Sequence, residues 1–268
     1  MNVLARRAAD LLGVSVTEAR PMAGGDLSQC MRLRLEDGRE AVVKTGPAPP
    51  EEARMLAAIA ATGAPAPAVL AVDATLLVLE ALPDTGAGPG AEADLGRVVA
   101  RLHAATGEGY GWHADYAFGP VAIANAWAED WPAFWGERRL LCHAGHLPVP
   151  LFRRVERLAG DLRSRLPERP RAALLHGDLW SGNVLTAGDR VSGLIDPACY
   201  YGHAEVDLAM LSLFGRPGPA FRIAYGPSEP GASERAPIYK LWPALVHRRL
   251  FGAGYDGMVE GCLEAAGV

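Results

Sequence analysis

Apolar and polar positions alternate along this chain with two different periods. In LARRAADLLG, Leu4, Ala8, Leu11 and Leu12 recur at helical spacing and Gly13 supplies a stop. The stretch LSQCMRLRLEDGREAVVK switches to period two around Asp37-Gly38, which predicts a β-hairpin ending at Lys44. Pro49-Pro50 then open a helix through EEARMLAAIAATG, because a first turn has no intrahelical partner for the N–H groups that proline lacks. The short apolar runs AVLAVD and LLVLEAL suit buried strands. Residues 1–82 therefore read as a small sheet with one main helix.

The stretch PDTGAGPGAE, residues 83–92, is rich in Pro and Gly and reads as a linker. Residues 93–268 are mostly helical in pattern, through EADLGRVVARLHAAT, AWAEDWPAFWGERRLLCHAG, PLFRRVERLAGDLRSRL and AEVDLAMLSLFG. Trp127, Trp131 and Trp135 recur every fourth residue and are expected on one buried helical face. Two short strands, NVLT and VSGLID, interrupt the helices. The predicted fold class is α+β: two lobes, a small β-rich N-terminal one with one main helix and a larger, mostly helical C-terminal one.

Composition narrows the function. With 268 residues, half of them hydrophobic, the chain can bury a sizeable core, as one large domain or as two lobes of ordinary size. A net charge of −5 leaves no general basic face for nucleic acid. Only Lys44 and Lys240 are lysines among many arginines, so each lysine raises a question. The four cysteines form no C-x-x-C pair and read as reduced thiols. Two arginines interrupt the apolar N-terminus, and no apolar run approaches the ~18 residues of a membrane span. A soluble, cytoplasmic protein without nucleic-acid or membrane partners is expected.

The candidate chemistry lies in LLHGDLWSGNVL, residues 174–185, where Asp178 and Asn183 stand among glycines. Asx residues and glycine form turns, but a turn does not account for Lys44 at a strand end or for Asp196 at the end of VSGLID. Phosphoryl transfer from ATP accounts for all of them, because polyphosphate needs a close backbone and a fixed cation, Mg²⁺ needs hard oxygen ligands, and the accepting hydroxyl needs a carboxylate. In this reading Asp178 orients the acceptor hydroxyl and takes its proton, while Asn183 and Asp196 hold magnesium. Lys44 holds the α- and β-phosphates and is itself held by Glu52, preferred over Glu51. Gly24, Gly25 and Ser28 cover the phosphates, and the backbones of Glu80 and Leu82 form a hinge for the adenine. Trp180, with His203 and Glu205, is expected to line the acceptor site, and His176 to brace the loop through its ring.

The run GLIDPACYYGHAEVDLAMLSLFG after LLHGDLWSGNVL resembles the fructosamine kinase (ketosamine-3-kinase) family within the protein-kinase-like fold. The resemblance continues through NAWAEDWPAFWGERRL and YKLWPALVHRRLFGAGY. His-Gly-Asp alone is shared with aminoglycoside and choline kinases. The resemblance implies phosphorylation of the 3-hydroxyl of a free or protein-linked ketosamine, followed by release of the amine, and it makes Asp207 a buried acid bracing the catalytic loop. The competing reading is a kinase-like phosphotransferase for an aminoglycoside, a choline-like alcohol or an amino alcohol; the tail FRIAYGPSEPGASERAPIYK lacks the acid cluster a polycationic drug would require. One departure stands out. Family members usually carry Pro-Gln before Asn125, where this chain has Ile123-Ala124.

Overall fold

The structure, a computed structural model, describes residues 2–22 and 29–268. The Asn2 side chain accepts from the Leu4 N–H to start α1 (Val3–Leu12), and Gly13 closes it in the left-handed region at φ 66°. Leu4, Ala5, Ala8 and Leu12 pack on the sheet. Leu11, expected on that face, lies at the rim of the buried arc and is 36% exposed.

The sheet has the order β1-β2-β3-β5-β4, antiparallel throughout, from β1 (Val16–Pro21), β2 (Cys30–Leu35), β3 (Glu40–Lys44), β4 (Val69–Val72) and β5 (Leu77–Glu80). The β2–β3 hairpin is the one predicted, whereas β1 is an edge strand whose residues stay half-exposed and carry no clear period. Alternation works as expected in β2, where Met31, Leu33 and Leu35 are buried beneath α1. On the other side α2 (Pro49–Ala61) sends Leu56 against Leu77 and Leu79.

Segment 83–92 is not a free tether. Within it β6 (Gly86–Ala87) pairs in parallel with a strand of the large lobe, β10 (Val184–Gly188), and α3 (Ala91–Ala104) begins before the segment ends. The large lobe continues with a hairpin, β7 (Tyr116–Phe118) and β8 (Val121–Ile123), then α4 (Trp131–Trp135), α5 (Val149–Gly160) and α6 (Leu162–Arg165). After these come β9 (Ala172–Leu175), β10 paired with β11 (Arg190–Leu194), and β12 (Tyr200–His203), which pairs with β9. The helices α7 (Glu205–Leu211), α8 (Pro219–Tyr225), α9 (Ala232–Phe251) and α10 (Asp256–Ala265) complete it.

Trp131 and Trp135 are fully buried in the core of this lobe, as expected, but Trp127 is not in their helix. Asp130 caps α4 by accepting from the Ala133 N–H at 2.7 Å, so the helix starts at Trp131. Trp127 precedes it, 52% exposed, and stacks on Tyr201 with centroids 6.0 Å apart. The fully buried Arg139 lies 4.3 Å from the Tyr200 ring centroid and donates to Asn125 Oδ1 at 2.7 Å. Ile123 is core and the Ala124 carbonyl accepts from Arg139, so the departure before Asn125 falls on framework.

Candidate active site

The end of β3 and the first turn of α2 deliver two charges to one point. Lys44 Nζ donates to Glu52 Oε1 at 2.9 Å and to Asp196 Oδ1 at 2.5 Å. Burial opposes the ammonium charge, yet the two carboxylates outweigh it and hold the lysine above its ordinary pKa. Glu51 faces elsewhere. Its carboxylate accepts from Trp112 Nε1 at 2.6 Å and lies 3.0 Å from His113 Nε2, which ties α2 to the large lobe. Adjacent glutamates thus divide the work: Glu52 positions the lysine and Glu51 anchors the helix.

The loop of residues 176–183 leaves β9 at Leu175 and is braced from below. Asp207, fully buried on α7, accepts from the His176 N–H at 2.7 Å and the Gly177 N–H at 3.0 Å. His176 Nδ1 accepts from the Asp178 N–H at 3.3 Å, and burial lowers the ring's pKa so that it stays neutral. Both glycines of the loop have a steric reason. Gly177 has φ 80°, and a Cβ there would sit 2.0 Å from the Ala198 carbonyl oxygen. A Cβ at Gly182 would lie 2.2 Å from the Trp180 ring, which folds back over it.

Asn183 Nδ2 donates to the Asp178 backbone carbonyl at 2.8 Å and to its carboxylate at 3.0 Å. That leaves the Asn183 amide oxygen as the end available to a cation. Burial pushes the Asp178 carboxyl up to about 7, the Asn183 hydrogen bond works against this, and Asp196 and Asp207 add to it. Asp196 follows β11 with φ 55°, the left-handed region that costs a non-glycine residue on the order of 1 kcal/mol and is found at functional sites. Two backbone bonds, Ile195 N–H to Asn183 O at 3.0 Å and Ala198 N–H to His176 O at 2.8 Å, stitch the Asp196 turn to the same loop.

Lys44, Glu52, Asp178, Asn183 and Asp196 line a single cleft of about 550 Å³. Its two aspartates and one amide oxygen are hard donors of the kind magnesium prefers, so the residues present fit that ion. Trp180, 37% exposed, lines the same cleft. Glu80 and Leu82 sit at the end of β5, outside it. The Glu80 N–H is already spent on the Ala68 carbonyl at 2.9 Å, so a hinge contact there falls to its carbonyl. Gly24, Gly25 and Ser28 lie outside the described residues.

His203 and Glu205 require a correction, because they do not join Trp180 in the cleft. His203 is 2% exposed, with Nδ1 2.8 Å from the Tyr239 hydroxyl and its ring edge-on to Trp131. Glu205 accepts two hydrogen bonds from Arg235, at 2.7 and 2.5 Å. The end of β12 turns His203, and the first turn of α7 turns Glu205, toward partners on α9. The residues that replace them in the cleft are aromatic: Phe214, Trp242, His247, Phe251 and Tyr255. A signal was present in the sequence, since 247, 251 and 255 recur every fourth residue, but aromatic spacing of this kind usually marks a core face.

The fructosamine kinase family profile matches residues 3–266. The chain belongs to the fructosamine kinase family. Over 185 residues it is 40% identical to a Synechocystis sp. protein assigned as a ketoamine kinase, which covers 63% of this chain and 60% of that one. It is 33% identical over 195 residues to the chloroplastic protein-ribulosamine 3-kinase of Arabidopsis thaliana, covering 68% and 59%. The matched region thus spans about three fifths of these two relatives' own lengths. The crystal structure of a Thermobifida fusca protein assigned as a fructosamine-3-kinase superposes with a TM-score of 0.91 at 33% identity, covering 99% of both chains. The family member described here has the bilobal protein-kinase-like fold. No helix among its described residues is long and apolar enough to cross a membrane.

Proposed function

We propose that this fructosamine kinase family member is an ATP- and Mg²⁺-dependent cytoplasmic kinase that phosphorylates the 3-hydroxyl of ketosamines, free or protein-linked. The phosphorylated sugar then releases its amine, which amounts to deglycation. One observation carries the reading: Asp178, its carboxyl raised by burial and held by Asn183, shares a cleft with a lysine that bridges Glu52 and Asp196. When bound, the nucleotide supplies the phosphoryl group and the metal neutralises its charge.

The side chains have separate tasks. Asp178 accepts a hydrogen bond from the acceptor hydroxyl and takes its proton as the oxygen attacks phosphorus. Asn183 and Asp196 hold the metal through oxygen atoms. Lys44 keeps Glu52 as its anchor, so a shift away from Asp196 turns its ammonium toward phosphate without freeing the side chain. His176 and Asp207 fix the loop and touch neither substrate.

An assay of ADP release tests this with synthetic fructosamine and ribulosamine compounds, an aminoglycoside and choline as acceptors. Turnover with a ketosamine and none with the others is expected. Turnover confined to the aminoglycoside or choline would overturn the reading.

A further inference from the structure

From the catalytic loop, aromatic rings step outward along one wall of the cleft. Trp180 meets Phe214 edge-on with centroids 6.1 Å apart, and Phe214 meets His247 at 5.1 Å. His247 then meets Phe251 at 5.7 Å and Tyr255 at 5.3 Å, and those two rings are 5.7 Å apart. All five line the same cleft as Asp178. Phe214 and Phe251 remain 45% and 43% exposed, so the ladder is an uncovered apolar surface continuous with the reacting centre rather than a piece of core.

Charge is distributed unevenly in this cleft. Among the described lining residues, Lys44, Glu52, Asp178 and Asp196 all sit at the phosphoryl end. The outer wall has rings and aliphatic groups such as Val246 and Leu250. Nearby cations are turned away from it: Arg248 donates to Asp256 at 2.9 Å and to the His146 carbonyl at 2.6 Å, and Lys240 donates to the Ser212 carbonyl. His247 Nδ1 lies 2.7 Å from the Pro243 carbonyl and therefore carries the ring proton; burial lowers its pKa, so the ring adds no charge.

The geometry points to this aromatic ladder as the subsite for the amine half of the acceptor, selecting ketosamines whose amine bears an apolar or aromatic substituent. The inference rests on the kinase reading above and deepens it. Three bonds separate the 3-carbon of a ketosamine from its nitrogen, roughly 4 Å. With the 3-hydroxyl at Asp178, the sugar lies beside Trp180 and the nitrogen substituent enters between Phe214, His247, Phe251 and Tyr255. The secondary ammonium itself is compatible with ring faces, which attract a cation. A further carboxylate on the substituent meets no opposite charge there and gives up water for nothing, and a further ammonium meets only ring faces, whose attraction offsets a small part of its lost hydration.

The test compares kcat/KM for three synthetic fructosamines, those of methylamine, phenethylamine and 1,4-diaminobutane. The phenethylamine compound is expected to exceed the methylamine compound by about ten- to a hundredfold, with the diaminobutane compound gaining little. Phe251→Ala and Tyr255→Ala should each reduce the phenethyl-to-methyl ratio several-fold. If ketosamines are turned over with equal efficiency, or if both variants leave the ratio unchanged, the subsite assignment is overturned while the kinase reading stands. If no ketosamine is phosphorylated, both fall together.

Discussion

The large lobe holds two dense polar clusters that look alike in sequence and differ in what they leave unpaired. One gathers His176, Asp178, Asn183 and Asp207 around the catalytic loop; the other gathers His203, Glu205, Glu229 and Arg235 between β12 and α9. In the second, the carboxylates face an arginine of the same chain, and the two hydrogen bonds that Arg235 donates to Glu205 raise the Arg235 pKa. In the first, the acid that matters is held by an amide, which supplies no charge, and its pKa rises instead. A cluster whose carboxylates are answered from within the chain stabilises the fold. One that stays electrostatically incomplete is ready for a ligand.

The largest expected effect comes from breaking the incomplete cluster at its centre. Asp178→Asn keeps the shape and the partner position for Asn183 but removes the proton acceptor. Turnover on a ketosamine should fall by about three orders of magnitude or more, since base and positioning effects each contribute roughly 10²–10⁴-fold. Nucleotide affinity, read by fluorescence titration, should change only a few-fold. Near-normal turnover in the variant would remove Asp178 from the chemistry and erase the distinction between the clusters.

Which parts of this arrangement were legible in the sequence follows from how local the signals are. The β2–β3 hairpin, α2 and the strands around Asp196 were readable because period, turn residues and proline placement act within a few positions. Asp178, Asn183, Lys44 and Asp196 could be grouped because one chemistry demanded all four. The β7–β8 hairpin escaped, since three-residue strands carry no measurable period. His203 and Glu205 were misplaced for a different reason: the strand side chain of His203 can face either way, and the partner that claims Glu205, at the start of α7, is Arg235, thirty residues further on. Trp127 fell off its expected helix because Asp130 caps α4 three residues after it.

The internally paired cluster should respond to mutation in the opposite manner. Arg235→Met leaves Glu205, itself almost buried, without its cation. Breaking a pair of this kind costs roughly 2–4 kcal/mol, somewhat below the fully buried case because Arg235 keeps an exposed edge. Thermal or urea unfolding should register the loss, while turnover per folded molecule on a ketosamine stays within about twofold. A drop in turnover without a drop in stability would mean that this cluster serves the reaction after all.

The smallest effect separates the clusters by the sign of their pH dependence in the nucleotide-free protein. Asp178 has its pKa raised to about 7 in the fold. Between an unfolded value near 4 and that folded value the native state binds the extra proton, so its contribution to stability is present in acid and lost as pH rises to 7. From pH 5 to pH 7 the loss is about 2 kcal/mol. His203 runs the other way, because burial lowers its pKa. Its contribution is present above the unfolded value near 6.5 and disappears as pH falls. Urea denaturation at pH 5 and pH 7 should therefore show the stability of wild type relative to Asp178→Asn shrinking as pH rises, and that of wild type relative to His203→Gln growing. Parallel trends in the two variants would show that burial does not set the ionisation of both sites.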